Sequence, residues 1–241
     1  MEHMENDYFK IILPSGYCSD ANQILDYATY ARNLLNKKFP FKVTEKVRIF
    51  LYEEPTKVNG TVTCTVMRSD YINLEIHAIT PSKAKPTSSW IDDDFYHANI
   101  IHEYVHVFMG QWIFQSTGKQ MKYFLAEWFS EGIAGYIPYY HSTPEICQKY
   151  SDNLEIIMKK VRDGRGYFDL IACDVYYGGA VLVRYMFERY GQNAVRNIIT
   201  GKVNSWIEAV QEELGISYRE FKDNWLKWAC EDAEIDVTLY F

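Results

Sequence analysis

The sequence has 241 residues, of which 48% are hydrophobic, and it contains 20 Tyr and 6 Trp. This length and aromatic content are sufficient for a substantial hydrophobic core and exclude an intrinsically disordered chain. The formal net charge is −7, with 25 Lys and Arg against 32 Asp and Glu, and there is no basic run. Nucleic acid and anionic membrane surfaces are therefore poor candidate partners. The five cysteines lie far apart, which does not fit a disulfide framework.

The N-terminal segment bears on the compartment of the protein. Residues 1–7 are polar and acidic, without the basic start and apolar run of a signal peptide. No stretch approaches the roughly 20 apolar residues that cross a bilayer as a helix. The chain as written is thus expected to be cytoplasmic, and the same sequence would be that of a secreted protein if a leader had been removed.

In the first part of the chain, hydrophobic periodicity predicts four strands and one helix. Asp20 is a candidate N-cap for the helix, and Pro40 ends it. Turn residues are predicted at 59–60 and 69–70, and 80–89 is predicted to be a loop. The strands are predicted at 8–13, 46–52, 61–67 and 71–79.

The part of the chain after Gly118 is predicted to be helical throughout. Glycines at 164, 191, 201 and 215 mark the breaks between helices. The predicted helices cover approximately 121–138, 143–163, 174–190, 192–200, 203–214 and 217–231. An α+β lobe followed by an all-helical lobe is the fold class that this order implies.

The most informative stretch is His102-Glu103-Tyr104-Val105-His106. Two histidines four residues apart project from one face of a helix, so their imidazole nitrogens can occupy adjacent corners of a tetrahedral zinc site. Glu103 would lie beside the metal, as a general base that takes a proton from zinc-activated water. Acidic residues at 92–94 favour the start of this helix, and Gly110 is predicted to end it.

A second short helix is predicted over 125–136, with Glu127 and Glu131 four residues apart on one face. Their neighbours are Trp, Phe and Ile, and burying a carboxylate there is costly unless it is paired or bound to a metal. A zinc site with two histidines lacks one protein ligand. One of these two glutamates is therefore predicted to be that ligand.

The pair of motifs His102-Glu-Tyr-Val-His106 and Trp128-Phe-Ser-Glu-Gly-Ile-Ala134 resembles the gluzincin zinc metallopeptidases. These peptidase MA-like proteins include thermolysin-like enzymes, aminopeptidase N-like enzymes and clostridial collagenases. In members with a W-x-x-E-G-x-A signature, the Glu before Gly is the third zinc ligand, which corresponds to Glu131. The resemblance implies a zincin-like lobe at 1–118, with a small mixed sheet, an edge strand and the zinc helix. An all-helical lobe at 119–241 would complete one integrated catalytic domain.

A third segment, Tyr176-Tyr-Gly-Gly-Ala180, is similar to the family's Y-x-x-G-A helix. The leading Tyr of that helix donates a hydrogen bond to the oxyanion, so the resemblance assigns this role to Tyr176. Its neighbour Tyr177 would point elsewhere on the helix.

Two departures from the family pattern affect which of the family's site residues can be assigned to this chain. The chain between the zinc helix and the glutamate helix is longer than in thermolysin and closer to the collagenase pattern, which leaves Glu127 as an alternative ligand. Gly135 stands where several relatives carry a carboxylate that could orient a ligand histidine. Asp169 or Asp174 is expected to supply that contact instead.

These observations predict a zinc metallopeptidase that hydrolyses peptide bonds of a peptide or protein substrate through zinc-activated water. His102, His106 and Glu131 would hold Zn²⁺, Glu103 would transfer protons, and Tyr176 would stabilise the oxyanion. The alternatives are a catalytically inactive zincin-fold binding protein, an aminopeptidase, and an interaction module with a coincidental motif.

An endopeptidase is favoured over an aminopeptidase because the chain ahead of the zinc helix lacks the G-x-M-E-N segment of aminopeptidase N-like enzymes. A single carboxylate, that of Glu75, would be a weak anchor for a substrate ammonium. The strand over 72–79 is the predicted cleft edge, where an extended peptide could add as an antiparallel strand.

Three other histidines and two arginines are predicted to lie outside the catalytic site. His97 turns away from the zinc face because it lies five residues before His102. His77 and His141 are isolated in the sequence, and Arg184 and Arg189 are predicted to be surface charges on a helix.

Overall fold

The computed structural model describes residues 1–54, 66–87, 90–121, 125–162, 175–201 and 204–231. The chain divides into two compact units, Met1–Trp112 and Ile113–Phe241. Among the described residues, five strands form one small sheet and eight helices make up most of the remainder. The fold is therefore mixed α+β, as the sequence predicts.

The first unit contains the sheet and the helices that surround it. The strands are β1 (Glu2–Glu5), β2 (Phe9–Leu13), β3 (Val47–Tyr52), β4 (Met67–Asp70) and β5 (Glu75–Ile79). Helix α1 covers Cys18–Lys38, and a short helix α2 covers Pro81–Ala84 and is followed by a 3₁₀ turn at Lys85–Thr87. Helix α3 covers Asp93–Thr117, and its residues after Trp112 belong to the second unit. The prediction of a loop at 80–89 is therefore wrong for residues 81–87, and residues 88–89 lie outside the described part of the chain.

The sheet has the strand order β1-β2-β3-β5-β4 and is mixed. β2, β3 and β5 are parallel, whereas β1 and β4 pair antiparallel to their neighbours. The strand predicted as the cleft edge is consequently interior, because β5 lies between β3 and β4. Among the described strands, β4 is the edge on this side of the sheet.

The core of the first unit lies on one face of this sheet. Ile11, Ile49 and Ile76 come from three adjacent strands, and all three are fully buried, as expected when alternate side chains of a strand share a face. The buried ring of Tyr104 on α3 meets Phe9 edge to face, with centroids 5.5 Å apart. Helix α3, which carries the histidine pair, is thus packed against the sheet through the Tyr104 ring.

Two boundaries in the first unit differ from the prediction. The turn expected at 69–70 lies at residues 71–74, because Ser69 and Asp70 continue β4. Gly110 does not end the zinc-motif helix, which runs on to Thr117 and is followed by Gly118 with a positive φ of 72°. A single glycine inside a helix costs only about 1 kcal/mol relative to Ala, and packing compensates for that cost here.

Every regular element described in the second unit is a helix, as predicted. Its helices are α4 (Glu127–His141), α5 (Pro144–Arg162), α6 (Tyr177–Thr200), α7 (Trp206–Leu214) and α8 (Tyr218–Glu231). Gly191, with φ 80° and ψ 168°, interrupts the helical backbone within α6. This confirms the break predicted there, since glycine adopts positive φ without steric cost. No helix in the described ranges is long and apolar enough to cross a membrane.

Candidate metal centre

The start of α3 explains why a stable helix forms around the histidine pair. Asp92 precedes the helix, and its Oδ1 accepts a hydrogen bond from the backbone N–H of Phe95 at 2.8 Å. Asp93 and Asp94 lie in the first turn, where negative charge interacts favourably with the helix dipole. The acidic start predicted for this helix is confirmed, and the two histidines follow roughly two and a half and three and a half turns later.

His102 and His106 are both 7% exposed, and their Nε2 atoms lie 3.1 Å apart. Zinc–nitrogen bonds of 2.0–2.1 Å in a tetrahedral site would separate two ligand nitrogens by about 3.3 Å. The spacing of the imidazoles therefore fits two adjacent ligands of one metal ion. Burial of two neighbouring ring nitrogens has a desolvation cost that metal coordination would offset.

Glu103 is 9% exposed and follows His102 directly on the helix. Successive helical residues are rotated by about 100°, so its carboxylate projects beside the histidine row and does not continue it. A buried carboxylate in that position would be suited to proton transfer next to a bound metal ion.

Glu131 is half-buried on α4, whereas Glu127 is exposed at the first position of the same helix. His102, His106 and Glu131 form a group that could hold a metal ion, since one ligand atom from each lies within 4.8 Å of the others. Glu127 is not a member of this group among the described residues. This group consists of the same three residues that the family signature predicts as metal ligands.

Tyr176 and Tyr177 differ in their surroundings at the beginning of α6. Tyr176 is the residue before the first helical position and is 50% exposed. The Tyr177 hydroxyl accepts a hydrogen bond from Asn153 Nδ2 at 3.1 Å, and its ring stacks on Tyr139 with centroids 5.4 Å apart. Tyr177 is therefore engaged within the helical unit, and Tyr176 is the more accessible of the two.

The surroundings of Gly135 explain why this position carries no carboxylate. A Cβ at Gly135 would lie 3.0 Å from Cε2 of Tyr139 and 3.3 Å from the carbonyl oxygen of Tyr176. A longer acidic side chain would need these neighbours to move. Asp169 and Asp174, the residues expected to replace that carboxylate, lie outside the described residues.

His77 is not isolated, although the sequence suggests that it is. Its Nδ1 lies 2.9 Å from the Tyr52 hydroxyl, and its Nε2 lies 3.1 Å from Glu75 Oε2. Glu75 is in turn paired with Arg48 at 2.6 Å. Burial lowers the pKa of His77 and Arg68 lowers it further, while Glu75 acts in the opposite direction.

His97 and His141 are also in contact with aromatic rings. His97 is stacked on Tyr27 with ring centroids 4.3 Å apart, so the prediction that it takes no part in the metal group agrees with its position. The His141 ring meets Tyr136 edge to face at 4.7 Å at the end of α4. Neither histidine belongs to the metal-ligand group found among the described residues.

Arg184 is not the surface charge that was predicted. It is 5% exposed, and its Nε donates to Glu188 Oε1 at 2.6 Å. Its guanidinium also lies over the rings of Tyr140 and Trp228, at 5.5 and 5.7 Å from their centroids. Arginine tolerates such burial because its planar cation is weakly hydrated and stacks on aromatic faces.

The arrangement of two imidazoles, a carboxylate and a buried glutamate beside them defines a candidate metallopeptidase centre. The family model Peptidase M9, described as collagenase, matches residues 85–228, which is more than half of the chain. The protein therefore belongs to the collagenase M9 peptidase family. Members of this family are metal-dependent and act on proteins or peptides. No curated protein and no solved structure matches the chain.

Proposed function

We propose that this protein is a zinc metallopeptidase that cleaves internal bonds of peptides or unfolded protein segments. The observation that carries the proposal is the group of His102, His106 and Glu131 in a chain of a collagenase peptidase family. Two histidines and one glutamate are the protein ligands of catalytic zinc sites that keep a fourth position open for water or substrate.

A bound zinc ion would lower the pKa of a coordinated water and polarise the scissile carbonyl. The side chains of this protein would supply the proton transfers. Glu103 takes a proton from the attacking water and returns one to the leaving amine. Tyr176 donates a hydrogen bond to the oxyanion, and its half-exposed side chain is accessible for this role.

The proposed docking strand for the substrate is β4, which replaces the strand favoured by the sequence. β4 pairs with β5 on one side, and no other described strand pairs with it. An edge strand presents unpaired backbone N–H and C=O groups that an extended peptide can pair with. The main-chain character of such pairing would allow many substrate sequences.

The pairing of Glu75 supports internal cleavage. Its carboxylate lies 2.6 Å from the Arg48 guanidinium and 3.1 Å from His77. A carboxylate that is already paired with a cation is a weak anchor for a substrate ammonium, because binding would require it to exchange partners. An aminopeptidase needs such an anchor, so its absence at Glu75 favours an endopeptidase.

The test of this function is the substitution Glu103→Gln, with Glu127→Gln as the matched control. An amide has nearly the shape of a carboxylate but cannot accept a proton at neutral pH. Glu103→Gln is expected to retain about one zinc per chain and to lose nearly all hydrolysis of an unfolded protein. Glu127→Gln changes an exposed residue and should keep both the bound zinc and the hydrolytic activity.

Two outcomes would contradict the proposal. Hydrolysis retained by zinc-loaded Glu103→Gln would show that another group is the base. A wild-type protein that binds zinc stoichiometrically but hydrolyses no peptide would instead be a binding protein with the zincin ligand set.

A further inference from the structure

The turn between β4 and β5 is held in shape by Asp70. Its Oδ1 accepts hydrogen bonds from the backbone N–H groups of Ile72 and Asn73, each at 3.1 Å. Its Oδ2 accepts a third from Asn73 Nδ2 at 2.8 Å. Leu74 completes the turn with a φ of 56°, which is rare for a non-glycine residue. Such a turn has one strongly preferred conformation.

The same turn rests on the metal-ligand helix. A Cβ at Gly110 would lie 2.5 Å from Cβ, Cγ and Cδ2 of Tyr71, so only glycine leaves room for this side chain. Beside it, Gln111 Nε2 donates to the Tyr71 carbonyl oxygen at 2.8 Å. The turn therefore contacts α3 in two ways. The missing side chain of Gly110 leaves a steric notch that Tyr71 occupies, and Gln111 donates one hydrogen bond.

The position of the notch relates it to the metal ligands. Gly110 follows His106 by four residues and His102 by eight, so all three lie along one side of α3. The turn is consequently seated about one helical turn beyond the second histidine. Any movement of the turn along or away from α3 would displace β4 relative to the imidazole pair.

We infer that Gly110 and Gln111 are positioning residues that hold the edge strand β4 in register with the metal ligands, so that a docked peptide presents its scissile bond correctly. This inference rests on the proposed function. β4 has only four residues and one neighbouring strand among those described. Short edge strands open locally at low cost, so an additional fixed point on α3 has a large influence on where β4 lies.

The first test replaces Gln111 by Leu, with Gln115→Leu as the matched control. Both glutamines lie on α3, but Gln115 is exposed. The hydrogen bond that Gln111 donates is partly buried, and loss of one such bond corresponds to about a fivefold change in an equilibrium. In Gln111→Leu, the backbone amides of residues 67–73 should exchange with D₂O about fivefold faster, and zinc content should be unchanged. KM for a fluorescence-quenched peptide that the wild type cleaves should rise by a similar factor, with kcat within about twofold.

The second test uses the steric notch. Gly110→Ala should raise KM and shift the bond cleaved in the same peptide, because the turn must move away from α3. Adding Tyr71→Gly to Gly110→Ala removes the three atoms that the new Cβ would meet. The double variant should therefore have amide exchange rates and a cleavage pattern close to those of Tyr71→Gly alone. Its changes should be smaller than the sum of the changes in the two single variants.

The outcomes separate this inference from the proposed function. A wild type without zinc-dependent hydrolysis would overturn the proposed function and the inference together. A hydrolytic wild type in which Gln111→Leu and Gln115→Leu have equal KM and equal exchange at residues 67–73 would overturn only the inference. Additive effects of Gly110→Ala and Tyr71→Gly would overturn it as well.

Discussion

Gly132 of α4 and Gly179 of α6 approach so closely that a Cβ on Gly132 would lie 2.6 Å from the carbonyl carbon and oxygen of Gly179. A Cβ on Gly179 would likewise lie 2.5 Å from the carbonyl oxygen of Trp128. The two helices are thus in backbone contact one residue after Glu131 and three residues after Tyr176. The glycine pair therefore fixes the relative position of a proposed metal ligand and a proposed oxyanion donor.

Alanine at Gly132 or Gly179 is expected to destabilise the protein by about 2 kcal/mol or more, because the clash is with backbone that cannot rotate away. The higher helix propensity of Ala, worth about 1 kcal/mol, offsets only part of this cost. Urea unfolding would measure the change. Gly135→Ala is the matched control, since its nearest neighbour is a side-chain ring atom of Tyr139 at 3.0 Å. Equal destabilisation by all three changes would contradict this account.

The choice between the two glutamates of α4 leads to a prediction about metal affinity. Glu131→Gln removes a proposed coordination bond and should weaken zinc binding by more than about 100-fold. That value is the upper end of the loss seen when a group that only hydrogen-bonds to a metal ligand is removed. Glu127→Gln alters only an exposed charge and should change the affinity by less than about threefold. Competition with a chelator of known affinity would measure both. A larger loss in Glu127→Gln would reverse the ligand assignment.

The two adjacent tyrosines of α6 give a prediction about the oxyanion. Tyr176→Phe should reduce kcat by on the order of 10²–10³, the usual loss for one oxyanion donor, while substrate binding changes little. Tyr177→Phe loses the hydrogen bond from Asn153 and should mainly reduce stability, by about 1 kcal/mol. Steady-state kinetics and thermal unfolding of both variants would be compared. A fall in kcat confined to Tyr177→Phe would show that the other hydroxyl faces the reaction.

Features encoded by neighbouring residues were predictable, and features that depend on distant ones were not. The helices of the second unit follow from helical periodicity and glycine breaks, and the histidine pair follows from its spacing. Strand β1 was missed because Glu2–Glu5 is polar and largely exposed, and its pairing with β2 is made by backbone groups. The burial of Arg184 depends on rings of Tyr140 and Trp228 from two other helices, which no local pattern indicates.

The same distinction explains the error at the β4–β5 turn. Ser69 and Asp70 have turn-forming side chains, but Asp70 serves the turn from the last position of the strand by accepting the amides that follow it. Leu74 adopts a positive φ that its residue type does not predict. Gly110 was expected to end a helix, and the reason for its presence is the Tyr71 side chain from another part of the chain.

His97 leads to a prediction about pH. Its Nε2 is buried and has no hydrogen-bond partner within the described part of the chain. Burial lowers the pKa of His97, although Asp94 acts in the opposite direction. Because the unfolded chain protonates near the ordinary value of 6.5, it takes up this proton before the folded chain does. The stability contribution is therefore complete above about pH 6.5 and is lost as the pH falls towards the lower, folded pKa.

The measurement is urea unfolding at several pH values between about 5 and 7.5, with wild type, His97→Phe and His3→Phe. Phe at position 97 keeps an aromatic ring against Tyr27 but cannot be protonated. Its stability should decline less than that of the wild type as the medium becomes acidic. His3 is exposed, so His3→Phe should retain the wild-type decline. Parallel declines in all three proteins would show that His97 does not contribute.

The last prediction concerns the position of cleavage within a substrate. Glu75 is committed to Arg48 and His77, so the first unit offers no carboxylate on β5 for a substrate ammonium. A peptide with a free N-terminal amine and its N-acetylated counterpart should therefore be cleaved at the same internal bonds. Their kcat/KM values should agree within about threefold, because an ammonium anchor would contribute more binding free energy than one exposed ion pair does. Mass spectrometry of the products would locate the bonds.

The control is Glu75→Gln, which should leave the ratio of kcat/KM between the two peptides unchanged. It would lower cleavage of the free-amine form if Glu75 were an anchor. Removal of only the first residue, and only from the free-amine peptide, would identify an aminopeptidase and contradict internal cleavage.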